Sequence, residues 1–218
     1  MLPHRMTGMG MSGCTEHPFL KLNDVWFSLG ELLSGAGYGT PINSLILDFK
    51  IAPSRLIGSP QLRRWKRSAI DRIADALTAR LQNLPPGLIV VPIPTSKLPG
   101  HVDYDDRLVR VLAQCRATPP IEVRELVRQR SSTPADHESD RRQSFGELLA
   151  NCYVDEAVAL PEPSGVILFD DVLTEGKHFK VCQRLIRERY GPLPVSGLFV
   201  ARRVCARGGV LPRLSRRK

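Results

Sequence analysis

Residues 166–178 of this sequence read VILFDDVLTEGKH, and this stretch decides the fold. Four apolar residues are typical of a buried strand, and the turn after them, which contains Thr and Gly, leads into a helical pattern. In α/β sheets ligands bind beyond the carboxyl ends of the strands, and a helix start presents unpaired N–H groups to an anion. Adjacent carboxylates at such a place suit the hydroxyls of a ribose, or Mg²⁺ held through water. The stretch therefore predicts a sugar-phosphate site.

The rest of the chain alternates between strand and helix patterns. Short apolar runs predict strands at 88–93, 121–126, 165–169 and 195–201, with a further strand at 151–155 left open. Amphipathic patterns predict helices at about 59–84, 105–116 and 175–190. This order of elements predicts the fold class α/β, with a doubly wound, mainly parallel sheet flanked by helices and right-handed crossovers.

The predicted domain covers residues 45–201. Residues 1–44 are expected to form a partly irregular N-terminal extension with a short appended element. The longest helix begins at Ser59-Pro60, where Ser suits the cap and Pro the first turn. Its apolar line consists of Leu62, Trp65, Ala69, Ile73, Leu77, Leu81 and Leu84. This face would cover the sheet or contribute to a homodimer contact, and both uses stay open.

Composition bounds the class of protein. The chain has 218 residues, of which 42% are apolar, and this suits one domain with a core of its own. No apolar run approaches the roughly 20 residues of a membrane span, and the start lacks the apolar stretch of a signal peptide. The five cysteines are odd in number and widely spaced, which argues against a disulfide framework and a cysteine zinc site. We expect a cytoplasmic protein without a membrane partner.

The net charge of +9 is concentrated at the C-terminus. Residues 202–218 contain seven basic residues and no acidic one, whereas the remaining chain has 24 basic residues against 22 acidic ones. Such a basic tail would lie along the phosphates of a nucleic acid or an acidic partner, or would be a solvated end. The sequence leaves both open.

The stretch at 166–178 resembles the signature of the type I phosphoribosyltransferases. In that signature, four apolar, two acidic and two further apolar residues precede a loop containing Thr and Gly. The branch related to competence protein F is similar also in Val91-Pro92-Ile93-Pro94, Tyr104-Asp105, Arg128-x-Arg130-x-x-Thr133-Pro134, Arg141-Arg142 and Asn151-Cys152-Tyr153-Val154. Signalling domains that receive a phosphate also end a strand in paired acids, but near the start of the domain, so we favour the ribose site.

The resemblance implies a site for 5-phosphoribosyl 1-diphosphate, or a related ribose 5-phosphate compound, with Mg²⁺. Asp170 and Asp171 would hold the ribose hydroxyls and the metal. The 5′-phosphate loop would consist of Thr174, Glu175, Gly176, Lys177 and His178, and the pyrophosphate loop of Pro94, Thr95, Ser96 and Lys97. Residues 128–145 would form a mobile hood. The implied chemistry is displacement of pyrophosphate at the anomeric carbon, by transfer or by hydrolysis.

Several residues depart from the family pattern. Glu175 and His178 stand where the family has hydroxyl residues, and Asp105 and Asp106 stand where it favours amides or neutral polar residues. Two like charges about 4 Å apart repel by about 1 kcal/mol in water and about 4 kcal/mol at an effective dielectric constant of 20, so an inward Glu175 would weaken phosphate binding. The alternative is thus a catalytically altered regulatory or effector module of a nucleoprotein complex, for example a bacterial anti-phage system such as a retron, which would contact nucleic acid through 202–218.

Overall fold

The structure, a computed structural model, describes residues 17–133 and 143–204. Seven strands lie in this part of the chain: β1 Val25–Leu33, β2 Leu88–Pro92, β3 Glu122–Val123, β4 Val127–Gln129, β5 Cys152–Val154, β6 Gly165–Leu173 and β7 Val195–Val204. The described helices are α1 Pro41–Phe49, α2 Pro53–Leu56, α3 Pro60–Arg80, α4 Arg107–Gln114, α5 Phe145–Asn151 and α6 Lys177–Tyr190, with a 3₁₀ turn at Glu156–Val158.

Five strands form one sheet in the order β1-β7-β6-β2-β3. All neighbouring pairs in it are parallel, and β6 lies at the centre between β7 and β2. Successive residues of one strand pack into different cores: Phe169 belongs to the core with α1, α3 and α4, whereas Leu168 belongs to the core with α5 and α6. Because helices cover both faces, the strands are continuous apolar runs, and the predicted fold class is confirmed.

The helix α3 begins as its sequence predicts. Ser59 Oγ accepts a hydrogen bond from Leu62 N at 3.4 Å, and Pro60 occupies the first helical position. The apolar line differs from the prediction at one place, because Trp65 is 43% exposed and the neighbouring Lys66 is buried. Lys66 lies one turn before Ala69 and Ile70 and shares their inward face, where its ammonium group finds partners described below.

The N-terminal part of the chain differs from the expected irregular extension. Residues 25–33 form β1, the edge strand of the main sheet, which pairs with β7 so that Phe27 lies beside Leu198. An edge strand exposes part of its surface, and exposed Val25 and Phe27 hide the pattern of a buried strand. This part of the segment predicted as an extension therefore belongs to the sheet.

The described start of the basic tail is also part of the sheet. The strand β7 continues to Val204, and Arg202 forms an ion pair with Glu31 of β1. Arg202 and Arg203 thus lie within an inner strand of the sheet, while residues 205–218 of the tail lie outside the described residues.

The segment predicted as a hood, 128–145, begins in β4. This strand forms an antiparallel ribbon with β5, in which Arg128 lies opposite Tyr153. The strand left open at 151–155 is therefore present, but not in the main sheet. Residues 134–142, including Arg141 and Arg142, lie outside the described part of the chain. The strand predicted at 121–126 is only Glu122–Val123. The N–H of Arg124 still donates to the carbonyl of Val90 in β2 at 3.0 Å, and its buried guanidinium donates to the carbonyls of Ala159 and Pro161.

None of the described helices combines the length and the apolar character that crossing a membrane requires. The three described cysteines, Cys115, Cys152 and Cys182, are free thiols.

Candidate functional site

A polar cavity of about 240 Å³ lies at the carboxyl edge of the sheet. It is lined by Lys50, Ala52, Pro53, Pro94, Thr95, Ser96, Lys97, Asp103, Asp105, Arg107, Thr133, Gln143, Asp170, Asp171, Val172, Thr174 and His178. The end of β6 supplies the two aspartates, the loop after β2 supplies residues 94–97, and the start of α6 supplies His178. These segments meet because parallel strands present their carboxyl ends at one edge.

The two aspartates of the doublet have different surroundings. Both lie within β6, which runs on to Leu173, and not beyond its end as the sequence suggested. Asp171 is buried, and its Oδ1 lies 3.2 Å from Lys50 Nζ. Its Oδ2 accepts from Arg107 Nε at 3.2 Å and also from Arg107 Nη2. Asp170 Oδ1 accepts the backbone N–H of Asp171 at 2.7 Å.

A buried chain of opposite charges extends from Asp171 into the protein. Arg107 Nη1 donates to Asp105 Oδ2 at 3.0 Å, and Lys66 Nζ donates to the same oxygen at 2.6 Å. Lys66 Nζ also donates to the carbonyl of Ile51 at 2.7 Å. Because buried charges are tolerated only when they are paired and hydrogen-bonded, these residues form one interdependent cluster. We call Lys50, Lys66, Asp105, Arg107 and Asp171 the charge cluster.

The pKa values of the doublet diverge for this reason. Burial, together with the negative charge of Asp171, raises the pKa of Asp170 to about 7. Burial would also raise the pKa of Asp171, but Lys50 and Arg107 outweigh it and hold that pKa well below its usual range. Burial lowers the pKa of Lys66, although Asp105 opposes this. Asp171 is thus a permanent anion, and Asp170 can both accept and donate a proton near neutral pH.

The loop from β6 to α6 turns at Gly176, whose φ is +83°. Only glycine adopts this conformation without strain. A Cβ at this position would lie 2.9 Å from Leu20 Cδ2, so the absence of a side chain also admits the N-terminal segment. The first turn of α6 follows at once, and its leading N–H groups have no carbonyl partner within the helix.

The side chain of Glu175 does not line the cavity. Its Oε2 lies 3.8 Å from Lys177 Nζ, and its backbone carbonyl accepts from Phe19 N at 3.1 Å. Lys177 Nζ donates to the carbonyl of Gln143 at 2.5 Å and lies 5.6 Å above the ring of Phe19. Of the residues predicted for the phosphate loop, Thr174 and His178 line the cavity, whereas Glu175, Gly176 and Lys177 do not.

The N-terminal residues 17–20, which we call the strap, hold the outer side of this loop. His17 Nδ1 is hydrogen-bonded to the carbonyl of Thr174, and the ring of Phe19 stacks on Phe145 at a centroid distance of 6.0 Å. The strap therefore fixes the backbone that precedes α6.

The loop at 94–97 is joined to the ribbon. Thr133 N donates to the carbonyl of Ser96 at 2.7 Å, Lys97 Nζ donates to the carbonyl of Thr133 at 3.1 Å, and Gln129 Nε2 donates to the carbonyl of Thr95 at 2.5 Å. All four residues predicted for this loop, Pro94, Thr95, Ser96 and Lys97, line the small cavity.

A larger cavity of about 530 Å³ adjoins the first and shares Pro94, Thr95, Lys97 and Asp105 with it. Its walls include Tyr104 and Glu125 on one side and Arg130 and Tyr153 of the ribbon region on the other. The guanidinium carbon of Arg130 lies 4.8 Å from the centroid of the Tyr153 ring. The larger cavity thus offers aromatic surface and charges of both signs.

Sequence reasoning missed Lys50, Lys66 and Arg107. Two of them left a signal. Lys66 lies on the apolar face of α3, where a charge needs a buried partner, and Arg107 stands in the first turn of α4, where a cation opposes the helix dipole. Lys50, at the end of α1, has no such signature.

The donor set at the doublet limits how a metal would bind. Across residues 17–133 and 143–204, no three His, Cys, Asp or Glu side chains cluster closely enough to hold a metal ion on their own. Mg²⁺ commonly binds through one or two carboxylates, water and phosphate oxygens of a substrate. Asp170 fits that requirement, whereas both oxygens of Asp171 already bind cations.

No protein-family model and no curated protein sequence matches this chain. Among solved structures, the chain is similar to a hypoxanthine phosphoribosyltransferase from Staphylococcus aureus, with a TM-score of 0.35 and 12% sequence identity over 63% of this chain and 73% of that one. A similarity at this level does not assign the chain to a family.

Proposed function

We propose that this protein binds 5-phosphoribosyl 1-diphosphate, or a related ribose 5-phosphate compound, and acts at its anomeric carbon in the manner of a phosphoribosyltransferase. The observation that carries the proposal is the small cavity, where Asp170, the start of α6 and the 94–97 loop face a common space. This is the arrangement that a phosphorylated ribose with an anionic leaving group would need.

The ribose hydroxyls would bind Asp170. Its carboxyl group is fixed by the N–H of Asp171, and its pKa of about 7 allows it to accept or donate a hydrogen bond near neutral pH. Asp171 would not bind the ligand itself. As a fixed anion it would hold Lys50 and Arg107 in the wall of the cavity.

The 5′-phosphate would bind where α6 starts. The first-turn N–H groups and the positive end of the helix dipole attract an anion, and Thr174 and His178 line the cavity at this point. The position of Glu175 supports phosphate binding, since its carboxylate lies beside Lys177 and outside the lining of the cavity. The repulsion expected from the sequence is thereby reduced.

The pyrophosphate would lie against Thr95, Ser96 and Lys97. When bound, Mg²⁺ would be held by Asp170 and would supply positive charge against the leaving group. Positioning of the reactants and neutralisation of the leaving charge are the contributions this chain would make to displacement. The adjoining cavity of about 530 Å³ has room for a second reactant, which favours transfer over hydrolysis.

The alternative of a regulatory or effector module that contacts nucleic acid rests on the sequence. Its first motivation, Glu175, is weakened by the pairing with Lys177. Residues 205–218 lie outside the described residues, so nucleic-acid binding by the tail stays a prediction. A role in antiviral defence, a homodimer and a cytoplasmic location likewise stay predictions.

Thermal unfolding with 5-phosphoribosyl 1-diphosphate and Mg²⁺ tests the proposal. A ligand at about 100 times its Kd adds about 2.7 kcal/mol to the free energy of unfolding, so the wild type should melt several degrees higher. Asp170→Asn should lose most of this shift. Asp106→Asn is the matched control, because Asp106 is exposed and does not line the small cavity, and it should keep the shift. An equal shift for wild type and Asp170→Asn would contradict the proposal.

A further inference from the structure

We propose that Arg107 is a positioning residue which, together with Lys50, neutralises Asp171, so that Asp170 alone of the doublet presents an open carboxylate and a divalent cation binds only together with an anionic ligand. This inference deepens the proposed function and rests on it for the identity of the ligand. It concerns the order in which sugar phosphate and metal occupy the site.

The geometry of Arg107 matches this role. Its guanidinium donates to Asp171 on one side and to Asp105 Oδ2 at 3.0 Å on the other, and it lies 5.6 Å from the centroid of the Phe49 ring. The side chain is only 13% exposed. A planar group with donors in a fixed fork can hold two carboxylates at once, whereas a lysine ammonium is a point charge on a flexible stem.

A second buried cation keeps Arg107 in place. Lys66 holds Asp105 at 2.6 Å and the carbonyl of Ile51 at 2.7 Å, so that Asp105 cannot turn away without leaving Lys66 unpaired. The orientation of Arg107, and through it that of Asp171, is therefore determined by a residue in α3 that lies outside the lining of the cavity.

The sum of charges decides which ligand the site accepts first. The charge cluster contains three cations and two carboxylates, so this wall carries a net positive charge. Ionised Asp170 brings the sum to zero, and the charges of Asp103 and Lys97, which also line the cavity, cancel each other. A free divalent cation therefore finds no excess of negative charge, whereas an anionic sugar phosphate is attracted by the cations and brings its own metal-binding oxygens.

Removal of Arg107 should consequently change the two affinities in opposite directions. Without its guanidinium, Oδ2 of Asp171 is freed while Oδ1 stays beside Lys50, so that Asp171 offers an oxygen next to Asp170. Such a pair of carboxylates suits a hard divalent cation. The same change removes positive charge that an anionic ligand needs. A purely structural role would weaken the binding of ribose 5-phosphate and produce no Mg²⁺ binding.

The experiment is isothermal titration of the full chain with MgCl₂ alone and with ribose 5-phosphate alone. For the wild type we expect binding of ribose 5-phosphate and no Mg²⁺ binding in the millimolar range. Arg107→Met should bind ribose 5-phosphate about tenfold more weakly and Mg²⁺ at least about tenfold more tightly. Arg107→Lys should fall between, and Arg110→Met, the control on the same helix with a 43% exposed side chain, should match the wild type.

Two results would overturn the inference. One is an Arg107→Met variant that binds ribose 5-phosphate more weakly and still shows no Mg²⁺ binding, and the other is tight Mg²⁺ binding by the wild type without any anion. If Arg107→Met does not fold, Lys50→Met is the second variant, since its side chain is 41% exposed, and changes of about threefold in the same two directions are expected. Failure of the wild type to bind ribose 5-phosphate would refute the proposed function, while the Mg²⁺ titrations would still decide the role of Arg107.

Discussion

The two walls of the small cavity are held in different ways. Behind Asp171, the charge cluster is buried except for the 41% exposed side chain of Lys50, and each carboxylate is shared by two cations. Across the cavity, the loop before α6 is held by the strap through backbone carbonyls and ring contacts closer to the surface. The first wall depends on charges that cannot be left unpaired, and the second on backbone conformation and close contact. Substitutions on the two walls should therefore differ in cost.

The largest effect is expected at Asp105. Asp105→Asn leaves Lys66 buried without a carboxylate, and breaking a buried pair by removing one partner costs about 3–5 kcal/mol in the free energy of unfolding. Chemical denaturation measures this. Asp106→Asn, one residue along and 52% exposed in its side chain, should change the stability by less than about 0.5 kcal/mol. Equal, small effects would show that the charge cluster is not interdependent.

An intermediate effect is expected on the opposite wall at Gly176. Gly176→Ala places a Cβ at a positive φ and against Leu20, and should cost about 2 kcal/mol in the free energy of unfolding. Gly146→Ala in α5, where a Cβ meets nothing within 4 Å, should be neutral or stabilising by about 0.5 kcal/mol. If the two alanine variants unfold at the same denaturant concentration, the strap does not constrain the loop.

The smallest effect is expected at Asp24, four residues after the strap, and its contribution to the free energy of unfolding depends on pH. Lys180 Nζ lies 2.8 Å from Asp24 Oδ1. Burial would raise the pKa of Asp24, but hydrogen bonds from Lys180, Lys21 N and Gln183 lower it below the unfolded value. The ionised group therefore stabilises the fold above about pH 4, and this contribution disappears as the pH falls through the lower folded pKa.

Asp24→Asn should accordingly cost about 1–2 kcal/mol in the free energy of unfolding at pH 7 and little at pH 2–3. Denaturation at both pH values checks this. Glu188→Gln, in an exposed pair with Arg184, serves as the control and should be near neutral at either pH. A cost for Asp24→Asn that does not change with pH would exclude the electrostatic explanation.

Much of the fold could be predicted because buried parallel strands and capped helices leave local signatures. The apolar run before Asp170 and the Ser59-Pro60 start of α3 are both found as expected. The edge strand β1 was not predicted as a strand of the sheet, since an edge strand exposes part of its surface and its pairing with β7 joins segments about 170 residues apart.

The site could be predicted only in part. The sequence indicates the doublet, the loop at 94–97 and the helix start, and the structure brings Asp170, Lys97 and His178 to one cavity. It does not indicate that Asp171 is paired with Lys50 and Arg107, because side chains 121 and 64 residues away become neighbours only in the folded chain. The Glu175 side chain lies beside Lys177, which is itself held by tertiary contacts with Gln143 and Phe19 that the sequence does not indicate.

A crystal structure of the protein with ribose 5-phosphate tests the central claim most directly. The account predicts the phosphate within hydrogen-bond distance of the first-turn N–H groups of α6, and the ribose hydroxyls on Asp170, with Asp171 still paired to Arg107. A phosphate bound in the larger cavity beside Lys97 and Arg130, with Asp170 untouched, would contradict it.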